Sequence, residues 1–164
     1  MEGKEELLKE LKKQFNLTKK RLEFKSTFKE INNMSYIEDM VLLNKFVSND
    51  FSRQMINRMV ETFYSWVGEI YSWIYPAQTD IVHLNESKKI SKEERQEFLN
   101  LISKILYLVR KNKRIAFEGL KKEEESNFVD ELVKFDKEIF NPFMLKFNKR
   151  FENLWKEETE AKKN

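Results

Sequence analysis

The sequence predicts an all-α protein that folds as an antiparallel up-down bundle of about four long helices. Three glycines and two prolines occur among its 164 residues, far fewer than the roughly 7% and 5% of average proteins. A β-rich fold needs many more turn residues than this. Charged residues make up 36% of the chain and apolar residues 40%, a balance typical of amphipathic helices with solvated outer faces.

The length of the chain fits a single domain, residues 1–164, which is large enough to bury a hydrophobic core. The 14 phenylalanines, three tryptophans and five tyrosines predict a core built largely on aromatic rings, because each ring buries a large area. We expect the Lys/Glu-rich end of the chain, about residues 157–164, to fray.

The first part of the chain is predicted to form one long helix followed by a second one. Apolar residues recur at helical spacing over about residues 4–31, with a change of phase near residues 16–18 that suggests a bend. Ser35 and Glu38 have the spacing of a capping box, which predicts the next helix start. We expect that helix to kink near Ser48 to Asp50, where polar side chains compete for backbone hydrogen bonds.

The clearest periodicity follows, as apolar residues recur every three or four positions at Ile56, Val60, Phe63, Val67, Ile70 and Ile74. A second apolar row and several tyrosines make residues 63–75 apolar on nearly all sides, as in a helix covered all round. Ser65, Gly68 and Ser72 form a narrow strip of small residues where another helix can approach closely. The helix is predicted to end at Tyr75, because the following proline disfavours the α conformation there.

Two more helices are predicted beyond a connection at residues 76–87. Ser91 and Glu94 have the spacing of a capping box and open the third helix. Gly119 is placed to end it as the C′ residue, with Leu120 as the accompanying apolar contact.

The fourth helix is expected to begin within residues 121–127, where acidic residues complement the helix dipole. Its apolar positions are Phe128, Leu132, Phe135 and Ile139, continued by Phe143, Phe147, Phe151 and Leu154. We expect a kink at Asn141 and Pro142, a pair that suits an N-cap followed by the first helical residue.

Most kinds of enzyme chemistry lack the residues that they need. Cysteine is absent, which excludes disulfides, thiolate metal sites and cysteine nucleophiles. His83 is the only histidine, whereas carboxylate-bridged di-iron bundles need two Glu-X-X-His pairs. The three glycines are scattered, so there is no glycine-rich phosphate loop. We therefore expect no enzyme activity, no catalytic residue, no metal and no nucleotide cofactor.

Acidic residues leave one weaker alternative, a carboxylate metal-binding bundle. Glu123, Glu124 and Glu125 offer the oxygen ligands that divalent cations prefer, although acidic residues also stabilise the start of a helix. Glu69 lies alone among large apolar residues, where burial without a partner would raise its pKa. We expect it instead to lie on the polar strip of its helix and to pair with a Lys or Arg of a neighbouring helix.

The cellular location is predicted from two kinds of segment that are not found in the sequence, a secretion signal and a membrane-spanning helix. The first six residues are polar and acidic, without the apolar region of a secretion signal. No stretch approaches the about 18 uncharged apolar residues of a membrane-spanning helix. These features predict a cytoplasmic protein without a membrane partner.

Charge is segregated along the chain, which suggests nucleic-acid association as an alternative function. Residues 33–87 carry three basic and seven acidic side chains, a balance of −4, whereas residues 88–122 carry eleven and four, a balance of +7. Such a basic patch can contact phosphates, although cations also stabilise helix C-termini. The candidate residues are Arg110, Lys111, Lys113, Arg114, Lys121 and Lys122.

The aromatic segment at residues 63–75 supports the preferred hypothesis, a non-enzymatic helical bundle that acts through protein–protein contact. A helix apolar on nearly all sides is either central in its own bundle or partly covered by another protein. Aromatic side chains dominate the energetics of interfaces. The predicted interface residues are Tyr64, Trp66, Tyr71, Trp73 and Tyr75. The partner is expected to be a second copy or a larger assembly.

Overall fold

The computed structural model describes residues 2–119 and 121–161, and within these ranges the chain is helical with no strand, which confirms the all-α class. The helices are α1 (Glu2–Leu22), α2 (Phe28–Ser35), α3 (Ile37–Asn44), α4 (Phe51–Tyr64), α5 (Val67–Ile74), α6 (Ile81–Ser87), α7 (Lys92–Phe117), α8 (Lys122–Phe135) and α9 (Asn141–Ala161). A π-helical turn, Asp136–Phe140, joins α8 to α9.

The expected bundle of about four long helices is not what the described residues show. If α4 and α5 are counted as one helix with a break, and α8 and α9 as another, the described residues form seven helices. The additional ends lie mostly in the first third of the chain, where short helices replace the two long ones that the apolar spacing predicts. Residues with positive φ lie at three of these breaks, namely Glu23, Tyr36 and Lys45.

The first helix ends at Leu22, and it runs without interruption through residues 16–18. Glu23 has a φ of 64°, in the left-handed region that ends helices. The loop that follows is held by the carboxylate of Asp130 on α8. This carboxylate accepts hydrogen bonds from the backbone N–H of Lys25 and Ser26, each at 2.9 Å, and from the Ser26 hydroxyl at 2.6 Å.

The capping box predicted at Ser35 and Glu38 does not form. Ser35 is the last residue of α2, and its buried hydroxyl donates to the carbonyl oxygen of Ile31 at 2.6 Å. Tyr36 then adopts a left-handed conformation with φ of 50°. The Glu38 N–H at the start of α3 donates instead to Oδ1 of Asn32 at 3.0 Å, so a side chain from the preceding helix caps this one.

The expected kink near Ser48 to Asp50 is a full break. Lys45 has a φ of 58° and ends α3, and the chain re-enters helix only at Phe51. The long apolar helix predicted after this point is also interrupted, because Ser65 and Trp66 separate α4 from α5. Its predicted end is confirmed, since α5 stops at Ile74 with Tyr75 as its C-cap.

The predicted bounds of α7 are confirmed at both ends. The hydroxyl of Ser91 accepts a hydrogen bond from the Glu94 N–H at 3.2 Å, and the Glu94 carboxylate accepts one from the Ser91 N–H at 3.0 Å. Gly119 follows the C-cap residue with φ of 90°, a conformation that favours glycine. Leu120, the expected apolar contact of this cap, lies outside the described residues.

Helices α8 and α9 are continuous through the π-helical turn, so Asn141 is not the N-cap that its pairing with Pro142 suggests. Asn141 is itself helical, and its N–H donates to the carbonyl oxygen of Asp136 five residues earlier. Pro142 has no N–H to donate to the carbonyl of Glu138, and π-turns often accompany such gaps in the α ladder. Helix α9 continues to Ala161, and residues 162–164 of the expected frayed tail lie outside the described residues.

Aromatic rings form much of the core, as the composition predicts. Trp73 packs on Phe98 at 5.7 Å and on Phe151 at 5.0 Å between ring centroids. Phe63 meets both Phe135 and Phe140 at 4.9 Å in edge-to-face geometry, an arrangement that ring quadrupoles favour. These contacts tie α4, α5 and α7 to α8 and α9. Within the described residues, no helix has the length and apolar character needed to cross a membrane.

Candidate binding surface on helices α4, α5 and α7

Helices α4 and α5 run antiparallel to α7 and form one long seam with it. At one end, the guanidinium of Arg53 donates to Oδ1 of Asn112 at 2.6 Å. At the other end, Arg95 donates to the carbonyl oxygen of Ile74 at 2.6 Å. The start of α4 therefore lies against the end of α7, and the end of α5 lies against the start of α7, so the helices run antiparallel.

A cleft of about 490 Å³, here called the α4–α7 cleft, opens along this seam. Its apolar lining consists of Val60, Tyr64, Leu106, Val109, Ala116 and Phe117. Three of these are large side chains with much of their surface in solvent, as Phe117 is 91% exposed, Tyr64 53% and Leu106 43%. Neighbouring exposed apolar side chains of this size mark binding surfaces more often than isolated ones do.

Part of the cleft lining is polar and is supplied by Arg53, Asn57 and Asn112. These side chains and Glu125 are here called the polar cluster, in which Asn112 and Glu125 are buried, Arg53 is partly buried and Asn57 is exposed. The carboxamide of Asn112 donates to Oδ1 of Asn57 at 2.9 Å. A second nitrogen of Arg53, Nη1, lies 3.5 Å from Oε1 of Glu125, and neither of these two atoms has a hydrogen-bond partner. The cluster therefore places a cation in the cleft and pairs it with a carboxylate buried behind it.

The charges around the cleft are mainly positive. Arg110 and Lys113 line it from α7, and Glu61 lines it from α4. Within the part of the chain that the structure describes, neither Arg110 nor Lys113 lies within 4.0 Å of a carboxylate. The cleft thus combines apolar walls with a row of two exposed cations on its α7 side, and the single acidic residue lies on the opposite wall.

A second feature, here called the aromatic face, consists of Tyr64, Trp66, Tyr71 and Tyr75. Their exposed fractions are 53%, 36%, 53% and 56%. The rings of Tyr71 and Tyr75 lie 5.1 Å apart, and Tyr75 lines another cleft of about 440 Å³ between α5 and the start of α7. Tyr64 also lines the α4–α7 cleft, so the aromatic face and this cleft share one residue.

Trp73 does not belong to this face, which corrects the predicted interface set. Its side chain is only 2% exposed, and its indole Nε1 donates to Oε2 of Glu86 at 2.9 Å. The indole of Trp155 donates to the other oxygen of the same carboxylate at 2.8 Å. The seven-residue spacing of Trp66 and Trp73 predicts a common face, but the break between α4 and α5 leaves Trp66 outside while Trp73 is buried.

The strip of small residues is open to solvent at Ser65 and Gly68, whereas Ser72 is partly buried. A Cβ atom built on Gly68 meets no other atom within 4 Å. The Ser72 hydroxyl donates back to the Gly68 carbonyl oxygen at 3.0 Å. Helix α5 is therefore not the fully covered central helix that its apolar sequence suggests, because one side of it faces solvent.

The predicted basic patch is divided by the structure. Lys111 pairs with Glu131 at 2.5 Å, and Lys122 pairs with Glu23 at 3.0 Å. Arg114 contacts the carboxylates of Glu118 and Glu124. Lys121 is exposed just before α8, so Arg110 and Lys113 are the two members of the patch that the α4–α7 cleft brings together.

Glu69 pairs with a histidine rather than with the Lys or Arg expected. Its Oε1 lies 3.3 Å from Nε2 of His83, while Nδ1 of the same ring contacts the Asp80 carboxylate. Burial of the ring disfavours its charged form, but the two carboxylates outweigh this and raise the pKa of His83 above its ordinary value. The Glu69 carboxylate remains largely exposed, which fits a helix-to-helix tie between α5 and α6.

Metal binding finds no support in the geometry, as the described residues contain no group of three or more His, Cys, Asp or Glu side chains arranged to hold an ion. The acidic run at residues 123–125 is used otherwise. Glu124 contacts Arg114, and Glu125 is buried against Arg53. Both side chains therefore serve the packing of α8 against its neighbours.

The polar cluster is the part of the site that was not predicted from the sequence, although a signal exists. Arg53 stands three residues before Ile56, in step with the apolar row of α4. Asn112 likewise falls on the row of α7 between Leu108 and Ile115, and Glu125 on the row of α8. A polar residue at a core position of each of three helices is a recognisable pattern, because buried polar groups need partners.

In comparisons with known proteins, no protein family model, curated protein or solved structure matches the chain.

Proposed function

We propose that this protein is a non-enzymatic helical protein that acts through protein–protein contact, as a homodimer or as a small subunit of an assembly. The observation that carries the proposal is the aromatic face, in which four large aromatic side chains of one short segment stay exposed. Tyrosine and tryptophan supply much contact area at low entropic cost and dominate interface energetics. The adjacent Gly68 allows the backbone of a partner to approach closely.

Self-association is the first form of this proposal to test, by sedimentation velocity over a range of concentrations. The variant Tyr71→Ala with Tyr75→Ala removes the two contacting rings of the aromatic face. A second variant, Gly68→Gln, adds a side chain where nothing in the chain obstructs it. We expect both to weaken association by about tenfold or more, the effect of losing an interface anchor.

The matched control is Tyr107→Ala, because Tyr107 is a tyrosine on α7 that is 57% exposed, a fraction close to those of Tyr71 and Tyr75, and lies outside the aromatic face. It should leave association unchanged. If the wild-type protein is strictly monomeric, the homodimer form fails and the same variants are tested against co-purifying subunits. If both variants associate as the wild type does, the aromatic face is not the interface.

Nucleic-acid association is the alternative, and it rests on the exposed cations Arg110, Lys113 and Lys121. Ion pairing of Lys111, Arg114 and Lys122 reduces the free charge of the patch, which is why protein contact is preferred. Filter binding to mixed RNA and DNA at rising salt tests the alternative, since phosphate contacts give a steep loss of affinity with salt. Absence of binding at about 50 mM salt would exclude it.

A further inference from the structure

The α4–α7 cleft has the shape and chemistry of a docking groove, and we infer that it binds an acidic amphipathic helix of a partner protein. The inference rests on the proposed function in one respect, that the protein acts by binding other proteins. It concerns a surface beside the aromatic face, so each surface can be tested without the other.

The length of the cleft fits a short helix. Its α4 wall extends from Arg53 to Tyr64 and its α7 wall from Leu106 to Phe117. Each wall therefore advances about 16 Å, or three helical turns. Both walls are helices, and the described residues contain no strand edge that could pair with an extended peptide. Affinity must then come from side-chain anchors, which a helix presents on one side at positions i, i+3 and i+7.

The apolar walls provide places for such anchors. Val60 and Val109 lie within the cleft, and Ala116 leaves space on the α7 wall where a larger residue would fill it. Exposed Phe117 and Tyr64 stand at the two ends. Burial of these rings under a partner would remove from water the apolar surface that the chain itself leaves open.

The charges that line the α4–α7 cleft favour an acidic partner helix. Arg110 and Lys113 are one turn apart on the α7 wall and have no carboxylate within 4.0 Å in the described part of the chain. Glu61 is the acidic residue among those lining the cleft. A partner helix with a row of Glu or Asp facing α7 meets both cations, whereas a basic helix is repelled along that wall.

The test uses a labelled, designed peptide of about four helical turns, with leucines on one side and glutamates flanking them. Fluorescence anisotropy compares it with a version in which lysines replace the glutamates. We expect the wild-type protein to bind the Glu peptide and the Arg110→Glu, Lys113→Glu double variant to bind it at least about tenfold more weakly. The double variant should in turn gain affinity for the Lys peptide.

Two further variants separate docking in the cleft from general charge attraction. Ala116→Trp fills the α7 wall at an exposed position and should block the Glu peptide without unfolding the protein, as checked by circular dichroism. Lys104→Glu changes the same type of charge on α7 at an exposed position outside the α4–α7 cleft, and it should leave binding unchanged.

The inference is overturned by any of three results. The first is that the folded wild-type protein does not bind the Glu peptide below about 1 mM. The second is that it binds the Glu peptide and the Lys peptide equally well. The third is that mixed RNA displaces the Glu peptide and that the double variant binds this RNA more weakly than the wild type does. If any of these results occurs while Gly68→Gln still weakens self-association, helix docking in the α4–α7 cleft is rejected and the interface proposed for the aromatic face is not. If the Glu peptide binds as expected while the aromatic-face variants have no effect, only the interface proposed for that face is rejected.

Discussion

The indole nitrogen of Trp73 donates a hydrogen bond of 2.9 Å to the carboxylate of Glu86, a residue buried in the short helix α6. Trp155 donates to the second oxygen of the same carboxylate. One acidic side chain thereby holds α6 against α5 and α9. Trp73 is thus buried and hydrogen-bonded, whereas its neighbours Tyr71 and Tyr75 remain exposed.

Replacing Glu86 by leucine should destabilise the protein by about 2–3 kcal/mol, because a buried indole N–H loses its acceptor. Glu86→Gln should cost less, since its carbonyl oxygen still accepts one of the two bonds. Urea denaturation followed by tryptophan fluorescence measures both effects. Glu157→Gln, an exposed acid on α9, serves as the control. Equal stability of the leucine variant and the wild type would show that the bond does not hold α6.

The ion pair of Glu94 with Arg150 should make stability depend on acid pH. The two guanidinium nitrogens of Arg150 donate to the two carboxylate oxygens at 2.7 and 2.8 Å. This pairing lowers the pKa of Glu94 from its ordinary 4.5 to about 2. Because the pKa is depressed in the folded protein, the stabilisation is complete above about pH 4.5 and is lost as the pH falls toward about 2.

Glu94→Gln should therefore lower the free energy of unfolding by about 1–2 kcal/mol at neutral pH, the range of a well-formed Arg–carboxylate pair. The difference from the wild type should shrink between about pH 4.5 and 3. Urea denaturation at several pH values measures it. Glu97→Gln, an exposed change on the same helix, should show no such trend. A difference that stays constant with pH would contradict the assignment of the lost stability to the ionised Glu94 carboxylate.

The buried pair of Arg53 and Glu125 predicts a strong coupling between α4 and α8. The Glu125 side chain is 3% exposed and that of Arg53 13%, so removal of either partner leaves a buried charge uncompensated. We expect Arg53→Met and Glu125→Leu each to cost about 3 kcal/mol, and the double variant to be more stable than either. A double-mutant cycle by urea denaturation measures this coupling. Additive single effects would contradict it.

Some helix ends with a strong local signal were predictable, although the capping box predicted at Ser35 and Glu38 does not form. Helix ends fixed by distant contacts were not predictable. The Ser91–Glu94 capping box, the proline after Tyr75 and Gly119 each act within a few residues, and all three predictions are confirmed. The end of α1 depends instead on Asp130, which lies more than a hundred residues away and holds the following loop. The spacing of apolar residues continues across such a break, so it does not reveal where the helix ends.

The candidate site was predictable in its parts but not as a whole. Sequence spacing identified Tyr64 as a possible contact residue and Arg110 and Lys113 as members of a basic patch. It treated them as two rival surfaces, because only the antiparallel packing of α4 on α7 brings them to one cleft. The exposure of individual aromatic residues on α5 depended on the break after Tyr64, for which the sequence carries no glycine or proline.

The π-helical turn keeps the apolar residues of α8 and α9 on one side of the molecule. Buried residues follow helical spacing through Phe128, Leu132 and Phe135, and then through Phe140, Met144, Phe147, Phe151 and Leu154. The step from Phe135 to Phe140 is five residues, one more than an α-helix accommodates. The predicted row through Ile139 and Phe143 assumed α-helical spacing throughout. Because the chain takes the five-residue step instead, those two side chains are only partly buried.

Removing one residue from the π-helical turn should therefore destabilise the protein less than removing one residue from α9. Deletion of the exposed Glu138, combined with Pro142→Ala to restore a backbone N–H, converts the turn to regular α-helix and keeps both apolar rows in place. We expect this variant to fold with a loss of no more than about 2 kcal/mol. Deletion of the exposed Lys149 instead rotates Phe151 and Leu154 by about 100° around the helix axis, so it should destabilise the protein far more. Circular dichroism and urea denaturation compare the two deletions, and equal losses would show that the π-turn does not set the register of α9.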